Sequence, residues 1–131
     1  MRREDLREKI IQTIFQMDAL GDFDYLNLKI IDENIDILEK DRAIKIFNNL
    51  KAHKEDIDKL ISDNLSGWKF ERIPKVELAI LRNAICEINY IDDIPMAVSI
   101  DQAVILAKKY GNEKSYVYIN GILGEIIKSK G

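Results

Sequence analysis

The sequence predicts an all-α fold of about seven helices in one domain over residues 1–131, and three observations carry this. Apolar residues recur at helical spacing along almost the whole chain, and strand-like alternation is nearly absent. Only two prolines and six glycines occur in 131 residues, and Gly21, Gly67, Pro74, Pro95 and Gly111 stand between the periodic segments. Hydrophobic residues make up 47% and charged residues 33%, a mix able to bury its own core.

The elements follow in order. Asp5–Glu8 has capping-box spacing, and Leu6, Ile10, Ile14 and Met17 then step down one helix face, widened by Ile11 and Phe15. Gly21 predicts the stop. Phe23 to about Asp32 reads as a second, shorter helix, with a break at Asn34–Asp36. Asp41–Leu65 reads as one long helix or two stacked ones, interrupted at the charged patch His53–Asp56. Ser66-Gly67 closes it, and Trp68 in the connection reads as a lid on the core. Ile73-Pro74 opens the next helix. Its residues Val76 to Ile88 are apolar around most of the circumference, which predicts the central helix of the fold. Asp92-Asp93-Ile94-Pro95 is a turn, and Ser99–Gln102 has the spacing of a capping box. The helix it opens ends on Lys108 and Lys109 before Gly111, the charge order a helix dipole favours. Ser115 can cap the last helix, whose inner face is Tyr118, Ile119, Ile122, Leu123 and Ile126.

Composition narrows the function. Asp+Glu outnumber Lys+Arg by 23 to 20, a net charge of -3 that argues against nucleic acid as a partner for this chain alone. No apolar run is long enough to span a bilayer, and the charged start lacks the apolar core of a signal peptide, so a cytoplasmic location is expected. The single cysteine, Cys86, sits in an apolar helical pattern and reads as a buried thiol. One His and one Cys, far apart, make neither a metal cluster nor a catalytic pair, and no phosphate loop, GxSxG, HExxH or CxxC occurs. Asp92-Asp93 reads as turn chemistry, and Glu71, Glu77 and Glu87 as solvated helix-surface charge. An enzyme is therefore not expected, and no cofactor or metal is implied.

Two basic groups stand out. Arg2, Arg3 and Arg7 are half of the six arginines, with Lys9 close behind, but Glu4, Asp5 and Glu8 are interleaved. Guanidinium groups match phosphate well, yet a solvated helix start fits the same residues. Lys108, Lys109 and Lys114 are interleaved with Tyr110, Tyr116 and Tyr118. That mixture suits single-stranded RNA, through phosphate attraction and base stacking, and equally suits a helix end with core-edge tyrosines.

A string of motifs then becomes familiar. Trp68 is followed by Arg72-Ile-Pro-Lys-Val-Glu-Leu-Ala-Ile-Leu-Arg82, Glu87 and Asp92-Asp-Ile-Pro95. Val98-Ser-Ile-Asp-Gln-Ala-Val104, Leu106-Ala-Lys-Lys-Tyr-Gly111, Ser115 and Tyr118-Ile-Asn-Gly-Ile-Leu123 complete it. The ordered set resembles the NusB family of transcription antitermination factors, and Arg7-Glu8, Gln12 and Ile14-Phe15 match the start of that family. Residues 20–65 match only in helical pattern and length. The resemblance implies a non-catalytic, all-helical two-bundle domain. It also implies a partnership with a small-subunit ribosomal protein, called NusE in this role, and joint binding of boxA-type RNA. The RNA polymerase antitermination complex so formed reads through terminators, notably in ribosomal RNA operons.

Carried over by position, the RNA-contacting set is Arg2, Arg3, Arg7, Phe15, Lys114 and Tyr118. Glu4 and Asp5 dilute the arginine cluster. Phe15 stands where the family usually has Tyr, so stacking is kept and a hydroxyl lost. Tyr118 stands where Phe is usual, and Val117 replaces a frequent Lys. The segment Ile100-Asp101-Gln102-Ala103 keeps the family's capping spacing with altered charge. Glu77 maps to the partner-binding face, where an acidic surface suits a basic ribosomal protein. Two other classes remain open. One is an accessory domain like those preceding the catalytic part of certain RNA cytosine methyltransferases; 131 residues leave no room for that catalytic part, so this chain alone is not expected to methylate. The other is a dimerising helical protein that binds no RNA, so that monomer and homodimer are both compatible with the sequence.

Overall fold

The computed structural model describes residues 2–26, 37, 39–67 and 69–130. Among them are five α-helices: α1 Arg3–Leu20, α2 Asp41–Asp63, α3 Lys75–Tyr90, α4 Met96–Tyr110 and α5 Ser115–Lys130, with a 3₁₀ turn at Phe70–Arg72 before α3. The difference from about seven has two sources. Phe23 and Asp24 are not helical and Tyr25 and Leu26 take 3₁₀ geometry, and the rest of the expected second helix, with the break at Asn34–Asp36, lies outside the described residues. In addition, Asp41–Asp63 stays one helix, bent where His53 leaves helical geometry (φ -122°, ψ 18°). Trp68 also lies outside the described residues.

The central helix is α3. It packs against α1, α2, α4 and α5, and α4 and α5 pack on each other. Every residue from Glu77 to Ile88 is buried. Ile10, Ile14 and Met17 of α1, Phe47 and Leu50 of α2, and Ile119 and Leu123 of α5 complete the core. Fully burying a side chain of this size stabilises by roughly 1.5–3 kcal/mol relative to exposure, so the apolar periodicity selects which faces meet. Cys86 is buried as expected, and desolvation pushes its thiol up to about 12.

The helix ends show which signals governed. Gly21 ends α1 in the left-handed region (φ 69°), with Gly21 N–H on the Asp18 carbonyl and Asp22 N–H on that of Met17. This is the paired bonding of a glycine stop. Pro74 precedes α3 as expected. The two capping boxes, however, lie inside their helices. α1 starts at Arg3, which places Asp5 in its first turn. α4 starts at Met96 because the fixed φ of Pro95 (-59°) already turns the chain, and its carbonyl accepts from Val98 and Ser99 N–H. Ser99 is thereby turned inward. Ser115 is likewise the first residue of α5, and its hydroxyl folds back to accept from Asn112 N–H at 2.9 Å. Gly111 is extended (φ -95°). Glycine is required there by crowding, since a Cβ would stand 2.6 Å from Ser115 Oγ.

Candidate nucleic-acid interface

Three charged residues of α3 are buried, and each reaches another helix. Glu87 Oε2 accepts from Arg7 Nε of α1 at 2.7 Å and from Asn83 Nδ2 at 2.8 Å. Its Oε1 accepts from Arg7 NH2 at 3.2 Å and from Ser99 Oγ of α4 at 2.8 Å. Arg82 makes a fork on Asp58 of α2, with both bonds at 2.9 Å, reaches Asp18 of α1 at 3.2 Å, and lies over the Phe23 ring. Glu77 accepts from the hydroxyls of Ser115 and Tyr118, both on α5.

These contacts correct three expectations. Arg7 is only 5% exposed and spends its guanidinium on Glu87, so it offers no free fork to phosphate. Glu77 is 1% exposed, so its carboxylate is not part of an acidic docking surface. Glu87 is buried too, whereas Glu71 is exposed as expected. The signal that could have revealed this was present in the sequence. A helix apolar all round has no solvated face, so charges within it must find partners.

The remaining predicted residues lie at the surface or its edge. Arg2 and Arg3 are exposed at the start of α1, and Arg2 Nε stands 3.6 Å from Asp5. Phe15, 41% exposed, projects from α1 into a groove of about 460 Å³ that also holds Tyr110, Gln12, Gln16, Lys9 and Val76. Tyr110 was already noted as a stacking aromatic. Gln16 and Val76 gave no sign of joining it, because their meeting depends on how α1, α3 and α4 pack. Lys114 is exposed on the turn between α4 and α5, where its N–H donates to Asn112 Oδ1 at 2.9 Å. Tyr118 is half-buried, and burial, with the Glu77 hydrogen bond second, pushes its phenol well above the ordinary tyrosine range.

Packing thus brings Phe15 beside Tyr110. Val76 lines the same groove, and its neighbour Glu77 holds Tyr118. Arg2 and Arg3 remain apart from this centre, since the twelve residues from Arg3 to Phe15 span about 18 Å of helix. Between them Lys109 pairs with Glu8 at 2.8 Å. Lys108 lies 4.7 Å from the Tyr116 ring centroid. The result is a discontinuous strip of exposed cations and aromatic faces, partly on α1 and partly at the α4–α5 turn of an acidic chain, the chemistry of phosphate attraction with base stacking. Among the described residues no group of three His, Cys, Asp or Glu could hold a metal, and no helix is long and apolar enough to cross a membrane.

Residues 4–128 match the model of the NusB family. The transcription antitermination protein NusB of Finegoldia magna is 38% identical over 132 residues, covering 99% of this chain and 96% of its own. That of Clostridium novyi is 39% identical over 133 residues, covering 98% and 100%. Among solved structures, T. maritima NusB superposes with a TM-score of 0.84 at 32% identity, covering 98% of this chain and 92% of its own. A chain from antitermination factors NusB and NusE in complex with dsRNA gives 0.81 at 28% identity, covering 97% and 96%.

Proposed function

Because this chain belongs to the NusB family, we propose that it is a transcription antitermination factor that binds boxA-type single-stranded RNA jointly with the ribosomal protein NusE. It works in the cytoplasm as an adaptor without catalysis of its own. The pair helps RNA polymerase read through terminators, notably in ribosomal RNA operons. The observation that carries the reading for this chain is the strip of exposed cations and aromatics on an otherwise acidic protein. Arg2, Arg3 and Lys114 attract phosphate, and Phe15 and Tyr118 offer ring faces to bases. Arg7 supports the strip from beneath by holding α1 on α3 through Glu87, which in turn takes Ser99 of α4. A net charge of -3 makes the chain a weak RNA binder by itself, so a basic protein partner supplies the rest of the field.

A gel-shift titration with boxA-type RNA, with and without NusE, tests this. The expected result is weak binding alone and tighter binding with NusE. Arg2→Glu combined with Arg3→Glu should weaken RNA binding, lower the salt slope by roughly 0.7 per lost phosphate contact, and leave NusE binding intact. No shift in either condition, or equal competition by duplex RNA of unrelated sequence, would overturn the reading.

A further inference from the structure

We propose that Glu77 is a positioning residue of the RNA-binding strip, touching neither RNA nor the protein partner but fixing the backbone that carries Lys114 and the ring of Tyr118. This rests on the reading given under Proposed function.

Glu77 lies in the first turn of α3 and is buried. Both of its carboxylate oxygens are taken by α5: Oε1 accepts from the Ser115 hydroxyl and Oε2 from that of Tyr118. The Ser115 bond reaches further. Ser115 Oγ, while donating to Glu77, accepts from Asn112 N–H at 2.9 Å, and Asn112 Oδ1 accepts from Lys114 N–H at 2.9 Å. A chain of three hydrogen bonds therefore runs from the buried carboxylate to the backbone of Lys114. Gly111 closes the turn on its other side, so near Ser115 that a Cβ would not fit. The second arm sets the Tyr118 ring. Burial and the bond to Glu77 keep the phenol protonated, and so a donor, throughout the neutral pH range. A charge-assisted bond of this kind is roughly twice as strong as one between neutral groups. One side chain thus sets the turn that presents a cation and the position of a ring before RNA arrives, so that part of the ordering cost is met in folding rather than in binding.

This role predicts the opposite of simple charge repulsion. A carboxylate beneath a phosphate-binding strip repels RNA, so by electrostatics alone its neutralisation should tighten binding. Under the positioning role, removing both acceptors weakens it. RNA affinity with NusE present should run wild type, then Glu77→Gln, then Glu77→Ala. Gln retains one acceptor at the same place, and the Ala variant should lose about tenfold, within the range of one base stack. The salt slope should fall by about 0.7 as the Lys114 contact is lost. Hydrogen exchange at the Lys114 amide should quicken in the same order, with NusE pull-down unchanged. Should Glu77→Ala fail to fold, Tyr118→Phe tests the ring arm by itself, because it keeps the ring, removes the bond to Glu77 and leaves the Ser115–Asn112–Lys114 arm in place. It should still weaken RNA binding.

Tighter or equal RNA binding by the folded variants, with unchanged slope and Lys114 exchange, would overturn the proposal while the antitermination reading stands. Lost NusE binding with RNA binding intact would return Glu77 to the partner interface and also overturn it. Wild-type protein that binds no RNA even with NusE would instead bring down the functional reading on which the proposal depends.

Discussion

Glu77 and Glu87 sit on one helix, and both are almost fully buried at 1% and 3% exposure, yet their surroundings differ in kind. Glu87 faces an arginine, an amide and a hydroxyl, drawn from α1, α3 and α4. Its charge is met by a full opposite charge deep in the molecule. Glu77 faces two neutral hydroxyls of α5 at the edge of the exposed strip. Two carboxylates of the same type therefore serve different ends. A fully ion-paired carboxylate specifies which helices meet. One satisfied by hydroxyls specifies how side chains stand at a surface.

The sharpest way to break the contrast is at Arg7. Arg7→Ala leaves Glu87 buried without its counter-charge and should cost about 3–5 kcal/mol, read as the shift in a urea unfolding curve. Arg7→Met combined with Glu87→Met should recover only part of that loss, since it removes the unpaired charge but leaves the buried Asn83 amide and Ser99 hydroxyl without their acceptor. A single-variant loss below about 1 kcal/mol, typical of an exposed pair, would show that the bridge is not integral to the core.

The next largest effect is at the Glu77 end. Gly111→Ala places a methyl 2.6 Å from Ser115 Oγ and 2.7 Å from the Ala107 carbonyl, and should destabilise by roughly 1–3 kcal/mol. Gly121→Ala has nothing within 4 Å, and should stabilise by about 0.5–1 kcal/mol through helix propensity. Thermal melts of the two variants should move in opposite directions.

A smaller effect is pH-dependent. The Cys86 thiol is held at about 12 against an ordinary 9.0. Below pH 9 both folded and unfolded states keep the proton and the stabilisation is complete. Between pH 9 and 12 the unfolded chain releases its proton and the folded chain does not, so stability falls as pH rises. Cys86→Ala should lose that part of the alkaline slope in denaturation curves taken across the window. The smallest effect on stability belongs to Arg2→Glu with Arg3→Glu. Both side chains are exposed and stand outside either cluster, so the melting temperature should not move while RNA affinity falls.

The central helix was legible because its pattern is local: apolar residues around most of the circumference from Val76 to Ile88 leave no continuous solvent face. The stop at Gly21 and the start at Pro74 were legible for the same reason, since each acts through its own backbone geometry. The bend in α2 at His53 followed from the charged interruption, and there the ring stacks on Tyr90 at 4.7 Å. Ser99 misled, because its capping spacing competed with Pro95 four residues earlier, and the proline turned the chain first. Phe15 was read as widening the apolar face of α1, but the face rotates to bury Thr13 and Arg7 and leaves Phe15 open to the groove.

The sequence by itself determined the helical class, the centrality of α3, the burial of Cys86 and the NusB resemblance, because periodicity, turn chemistry and ordered motifs are properties of neighbouring residues. Only the tertiary structure decided which charges are free. Arg7 and Arg3 are four residues apart and look equivalent in sequence, but Arg7 meets Glu87 eighty residues away, whereas Arg3 meets solvent. That difference arises when α1 packs on α3. Desolvation then makes pairing obligatory for the inward arginine and leaves the outward one open to phosphate.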